Sequence, residues 1–181
     1  MPKTAAPSTS SPTSAPPHKL LFGDLDNELK TTRRMLERVP NGKGDWRPHA
    51  KSKSLDELAN HVAQLPGFGI DMLTRDELDA SSRPPQPKPA NTDERLEMFD
   101  EVAAELQRLV KELDWDRAMA VWTLMFRGNV AMQAPRAMMI RSAMISHLVH
   151  HRAQLGSYLR MLDVPLPSSY GPTADEQPGF R

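Results

Sequence analysis

Apolar residues recur along this chain at three- and four-residue steps in four separate stretches. Within residues 20–39, Leu21, Leu25, Leu29, Met35, Leu36 and Val39 keep mostly that spacing, and Pro40-Asn41-Gly42 supplies a stop, so a first helix is predicted there. Ser54-Leu55-Asp56-Glu57 has the form of a capping box. It opens a second helix with Leu58, His61, Leu65, Phe68 and Met72 on one face, and Pro66 and Gly67 should kink that helix. A third helix is expected from Thr92 to about Leu113, with a stripe of Leu96, Phe99, Val102, Ala103, Leu106, Leu109 and Val110. The fourth and longest runs from Pro135 to about Asp163, where Val164-Pro165-Leu166-Pro167 ends it.

The connections differ in character. Residues 40–53 form a polar loop containing Trp46, Pro48 and His49, and residues 83–89 read as an extended polyproline segment. Residues 115–134, with the run Ala120 to Phe126 followed by Arg127-Gly128-Asn129, read as a short irregular or hairpin insertion before the last helix. Residues 1–17 are Ser, Thr, Pro and Ala apart from Met1 and Lys3. Such a segment buries too little to offset its ordering entropy, so a disordered leader is expected, followed by one domain over residues 18–181 with a turn-rich tail from 168. Four helices with no strand–helix alternation predict an all-α fold, a four-helix bundle.

Composition narrows the function. The 181 residues include no cysteine, which removes disulfides, thiolate metal sites and a cysteine nucleophile. Any metal must rest on histidine and carboxylate. Lys and Arg number 23 against 23 Asp and Glu, so no basic field invites nucleic acid or an anionic membrane. No apolar run approaches the ~20 residues of a spanning helix, and the first residues do not form a secretory signal. A cytoplasmic protein is the expectation.

Three of the six histidines, His147, His150 and His151, fall within five residues of the last helix. At about 100° per residue, His151 lies roughly 40° from His147 and one turn further on. Their stripe includes Ile140, Met144, Gln154 and Tyr158, the face that should point into the bundle, while His150 sits at its boundary. His61 shares the buried face of the second helix. A lone histidine there is ordinarily a hydrogen-bonded core residue. Three imidazoles aimed at one interior are costly unless organised, however, and a divalent cation satisfies three acceptor nitrogens together. From spacing alone both readings stand.

The block Ile145-Ser-His-Leu-Val-His-His-Arg-Ala-Gln-Leu-Gly-Ser-Tyr-Leu-Arg160, with Asp163-Val-Pro-Leu-Pro167 and Tyr170-Gly-Pro-Thr-Ala-Asp-Glu176 after it, resembles the fourth helix and tail of DinB/YfiT-like proteins. Upstream, Pro48 to His61 resembles the start of that family's second helix, ending in its first metal histidine. The resemblance covers about residues 19–176. It implies an up-down-down-up four-helix bundle, often a homodimer, with a divalent metal, most often zinc or nickel, on three histidines. Matched position by position, these are His61, His147 and His151, whereas His49 and His150 fall on positions that are not ligands. The family includes thiol-dependent transferases and isomerases, and members labelled metal-dependent hydrolases or damage-inducible proteins.

Three neutral histidines would leave a coordination position open, as in catalytic zinc sites. Two chemistries follow: hydrolysis, or transfer of a low-molecular-weight thiol to a small-molecule substrate. A non-catalytic bundle in which the metal is structural is the alternative. Gln154 is a candidate partner for a metal-bound water, Tyr158 for the pocket lining, and Glu57 for a second-layer acceptor. Each also has a structural reading: a buried amide, a core aromatic, and the capping box. Arg152 should point away from the ligand face, toward an acid on a neighbouring helix or a dimer partner. Trp122, Met125 and Phe126 are candidates for the mouth of a pocket.

Overall fold

The computed structural model describes residues 15–177. Most of the expected leader and the last residues of the tail lie outside this range. The helices are α1 (Pro17–Leu21), α2 (Leu25–Leu36), α3 (Leu55–Thr74), α4 (Thr92–Glu112), α5 (Trp115–Met119), α6 (Arg136–Met139) and α7 (His147–Met161), with a π-helical segment, Ile140–Ser146, joining α6 to α7. Three strands, β1 (Glu77–Asp79), β2 (Val121–Phe126) and β3 (Asn129–Pro135), form one sheet in the order β1-β2-β3. The fold is therefore helical with a small sheet, not purely all-α. Among the described residues no helix is long and apolar enough to cross a membrane.

The first predicted helix is broken. The amide of Phe22 bonds the His18 carbonyl and that of Leu25 bonds Phe22, so the chain turns at Phe22-Gly23-Asp24 before α2 begins. A β-carbon on Gly23 would stand 2.8 Å from the Lys19 carbonyl oxygen, an approach only glycine permits. The capping box at α3 is complete: the Ser54 side chain accepts from the Glu57 amide, and the Glu57 carboxylate accepts from the Ser54 amide. α3 then continues through Pro66 to Thr74. α4 is capped by Asn91, and Thr92 instead ties the helix to the end of α2, donating its hydroxyl to the Val39 carbonyl.

α2, α3, α4 and α7, with the π segment, enclose the core. Leu36, Leu58, Val62, Leu106, Met144 and Leu155 are wholly buried in it. α3 and α4 approach closely at Gly69, where an added β-carbon would meet Leu106 at 2.9 Å. The interior also holds charge. Arg152 of α7 and Glu28 of α2 pair at 2.8 Å with both side chains 3% exposed. Arg152 also donates to the Glu28 carbonyl and the Thr32 hydroxyl, and Tyr170 donates to the other Glu28 oxygen. This is the neighbouring-helix acid expected for Arg152. Arg136, fully buried, donates to Asp76 and to the carbonyls of Met72, Arg75 and Arg117, joining the C-terminus of α3 to the insertion.

The insertion is a hairpin. Arg127 and Gly128 both adopt positive φ, 52° and 74°, as a two-residue turn matching strand twist requires. β2 pairs antiparallel with β3 and parallel with β1. Asp79 at the end of β1 accepts from the amides of Arg127 and Gly128, clamping the turn. The Ser81 hydroxyl and these amides pull its carboxyl down to about 2. After α7, Asp163 takes a φ of 58°, the left-handed stop beyond a helix C-terminus. Among the described residues the tail has no regular element, and it is pinned by Arg34 to Glu176 and by Arg160 to Asp175.

Candidate metal centre

His61 comes from the middle of α3; His147 and His151 come from the first turn of α7 and the residues after it. One ring nitrogen from each lies within 4.8 Å of the other two. The ring centroids are 5.1 Å apart for His61 and His147, 4.5 Å for His61 and His151, and 4.6 Å for His147 and His151. All three are half-buried. The ligand set expected from the sequence is thus brought together from two helices.

The surrounding groups fix the rings' protons. Nδ1 of His147 lies 3.3 Å from the Ala143 carbonyl oxygen. A carbonyl only accepts, so the proton sits on Nδ1 and Nε2 presents its lone pair. The His147 amide bonds the Met144 carbonyl, and the Ala143 carbonyl offers the imidazole a lone pair. Nδ1 of His151 lies 2.9 Å from Gln154 Oε1, and with that oxygen accepting, Nε2 of His151 is likewise free. Nε2 of His61 faces Nε2 of His147 at 3.4 Å, long for an N–H···N bond. It matches the roughly 3.3–3.4 Å edge between two nitrogens about 2.0–2.1 Å from one tetrahedral cation.

Burial is the main reason the His61 pKa falls to about 4, with His151 and His147 adding to it. Burial also lowers that of His151, against the opposing bond to Gln154. Both shifts favour the uncharged form of His61 and His151 near neutral pH, as binding of a divalent cation requires. The donor set therefore fits such an ion, and imidazole suits zinc and nickel alike.

Other candidates fall elsewhere. Gln154 orients His151 rather than bonding a neighbouring helix. Tyr158 donates to the Lys53 carbonyl at 3.3 Å and packs edge-on against Trp46, 5.6 Å between centroids; it anchors the 40–53 loop and lines no cavity at the histidines. Glu57 is exposed and committed to the capping box, where the Ser54 amide lowers its pKa. His49 and His150 are exposed, although the His150 ring contacts that of His151 at 4.7 Å.

A cavity of about 250 Å³ opens beside His61 and His147. Its walls include Leu65 and Phe68 of α3, Leu78 of β1 and Leu124 of β2, together with Gln64, Arg83 and Gln86. The small sheet is thus the roof of the site. The insertion does reach the pocket, but through Leu124: Trp122 is fully buried, edge-on to Phe68, and neither Met125 nor Phe126 lines the cavity. β1 and Arg83 carried no sequence signal, since Leu78 is a single apolar residue in a polar stretch and its strand partner lies 46 positions away.

The DinB family profile matches residues 14–178, and the chain belongs to the DinB family. Two solved structures are similar in fold. One is a DinB-like protein from Bacillus subtilis, with a TM-score of 0.63 at 12% identity, aligned over 83% of this chain and 96% of that one. The other is a DinB-like protein from Bacillus cereus, with a TM-score of 0.61 at 14% identity, aligned over 82% and 94%. No curated protein matches the sequence.

Proposed function

We propose that this DinB-family protein holds one divalent cation, zinc or nickel, on His61, His147 and His151 and transfers a low-molecular-weight thiol to a small electrophile in the adjoining cavity. The observation that carries this reading is the convergence of three imidazole nitrogens within 4.8 Å at the wall of a cavity. His61, His147 and His151 would hold the cation, which would supply a Lewis acid able to lower the pKa of a bound thiol.

The chain's own residues do the rest. Ala143 and Gln154 hold the Nδ1 protons of His147 and His151, so that their Nε2 lone pairs face inward. Leu65, Phe68, Leu78 and Leu124 give the electrophile an apolar seat and displace water from it. No carboxylate lines the cavity among the described residues, so water has no evident general base there. Water and thiol on such a cation would both give up a proton without one, so the choice of S-transfer rests on the apolar seat, which suits a hydrophobic electrophile.

The test offers glutathione, bacillithiol or mycothiol with an aryl halide, and separately a chromogenic ester without thiol. Thiol-dependent product, lost on chelation and in His147→Ala/His151→Ala, is expected. Ester turnover without thiol would replace the reading by hydrolysis. No turnover on either, with a large stability loss on chelation, would make the metal structural.

A further inference from the structure

Of the residues lining the cavity beside the histidines, only Arg83 carries a full charge. Its placement is over-determined. Arg83 precedes Pro84, which holds its backbone extended at φ −64° and ψ 132°. The proline-rich segment that follows is fastened to α3, because Gln64 donates to the Pro87 carbonyl. The guanidinium lies 5.5 Å over the Phe68 ring and donates through Nη2 to Asp71 at 2.7 Å. Its Nε and Nη1 groups have no hydrogen-bond partner among the described residues. Asp71 does not cancel the charge, since Arg75 shares that carboxylate at 3.4 Å. Two guanidiniums on one carboxylate leave one net positive charge.

We propose that Arg83 is the anion-recognition residue of this cavity, selecting a small molecule with an apolar body and a terminal carboxylate. The proposal rests on the cavity being the substrate pocket of the site described above. Benzene fits an apolar cavity of about 150 Å³, so about 250 Å³ takes a ring and a short chain. Nη2 gives Asp71 one of its two hydrogens, so one edge of the fork, its second hydrogen beside that of Nε or Nη1, stays open to offer an oxyanion a charge-assisted pair of bonds, and one net charge matches a carboxylate better than a phosphate dianion. With backbone and guanidinium already held, little rotamer entropy remains to be lost on binding.

The probes are 4-phenylbutyrate and its neutral amide, 4-phenylbutanamide, titrated calorimetrically into full-length protein, both metal-loaded and after chelation. Metal content is measured in every sample. The carboxylate should bind about 10-fold more tightly than the amide in both forms. In Arg83→Gln the ratio should fall to near one with metal content unchanged, and in Arg83→Lys, which keeps charge but loses the planar fork, it should fall part of the way. Should Arg83→Gln fail to fold, Arg83→Lys decides: an undiminished preference overturns the proposal. A preference that needs the metal and survives in Arg83→Gln places the carboxylate on the cation and also overturns it, as does no binding of either probe. An Arg83-dependent preference in protein that takes up no metal would sustain this proposal while refuting the metal reading.

Discussion

Gln154 Oε1 stands 2.9 Å from Nδ1 of His151, one turn back along the same helix, and this contact decides which His151 nitrogen faces the other two imidazoles. Partners of this kind orient a metal-binding ring and raise its basicity, and losing one typically costs about 10–100-fold in metal affinity. Gln154→Leu should weaken metal retention by that factor in a chelator competition, while Gln154→Glu, which keeps an acceptor at Nδ1, should not. Equal affinity in Gln154→Leu and the unaltered protein would show that the bond orients nothing.

Removing the metal should expose a pH dependence. His61 titrates at about 4 in the folded protein, below its ordinary 6.5, because burial disfavours its charged form. The unfolded chain therefore binds the proton more readily. The His61 contribution to stability is present above pH 6.5 and is lost as pH falls toward 4, and His151 acts in the same direction. Urea midpoints of chelated protein should fall across this window, and the slope should be shallower in His61→Gln. An unchanged slope would mean that His61 is not buried as described.

The Arg152–Glu28 pair is a structural hinge-pin between α7 and α2. Breaking a buried pair strands one charge, at a cost of about 3–5 kcal/mol. Arg152→Met should lose that much by denaturant unfolding, and Arg152→Met combined with Glu28→Leu should recover part of it. A loss below about 1 kcal/mol in the single variant would place this pair with exposed ones.

Tyr158→Phe separates anchoring from pocket chemistry. It removes one hydrogen bond to Lys53, and about 0.5–1.5 kcal/mol of stability should go with it. Metal content and turnover should be unchanged. A loss of turnover without a loss of stability would return Tyr158 to the site.

The helical frame and the histidine cluster were legible because both are periodic, while reading that cluster as a ligand set took the family resemblance as well. Leu58, His61 and Leu65 repeat at helical spacing, as do Met144, His147 and His151, so one face of each helix carried both core and candidate chemistry. The hairpin was half legible, since Arg127-Gly128 is local turn chemistry. β1 was not: its pairing with β2 is long-range, and Glu77-Leu78-Asp79 is too short to show alternation. Arg83 belonged to a segment read only as an extended spacer, and nothing local says that a pre-proline arginine leans over Phe68. The break at Gly23 was hidden because apolar spacing continues across it. Glu57 and Tyr158 had structural readings beside the functional ones, and the structure shows the contacts those readings expect: the completed capping box, and the Tyr158 ring packed on Trp46.

The convergence of His61, His147 and His151 is tested most directly by elemental analysis of full-length protein purified without a histidine tag. The account predicts close to one divalent metal per chain, and near-complete loss in folded His147→Ala/His151→Ala protein. Full metal content in that double variant would contradict it, as would an unaltered protein that, offered zinc or nickel, binds neither.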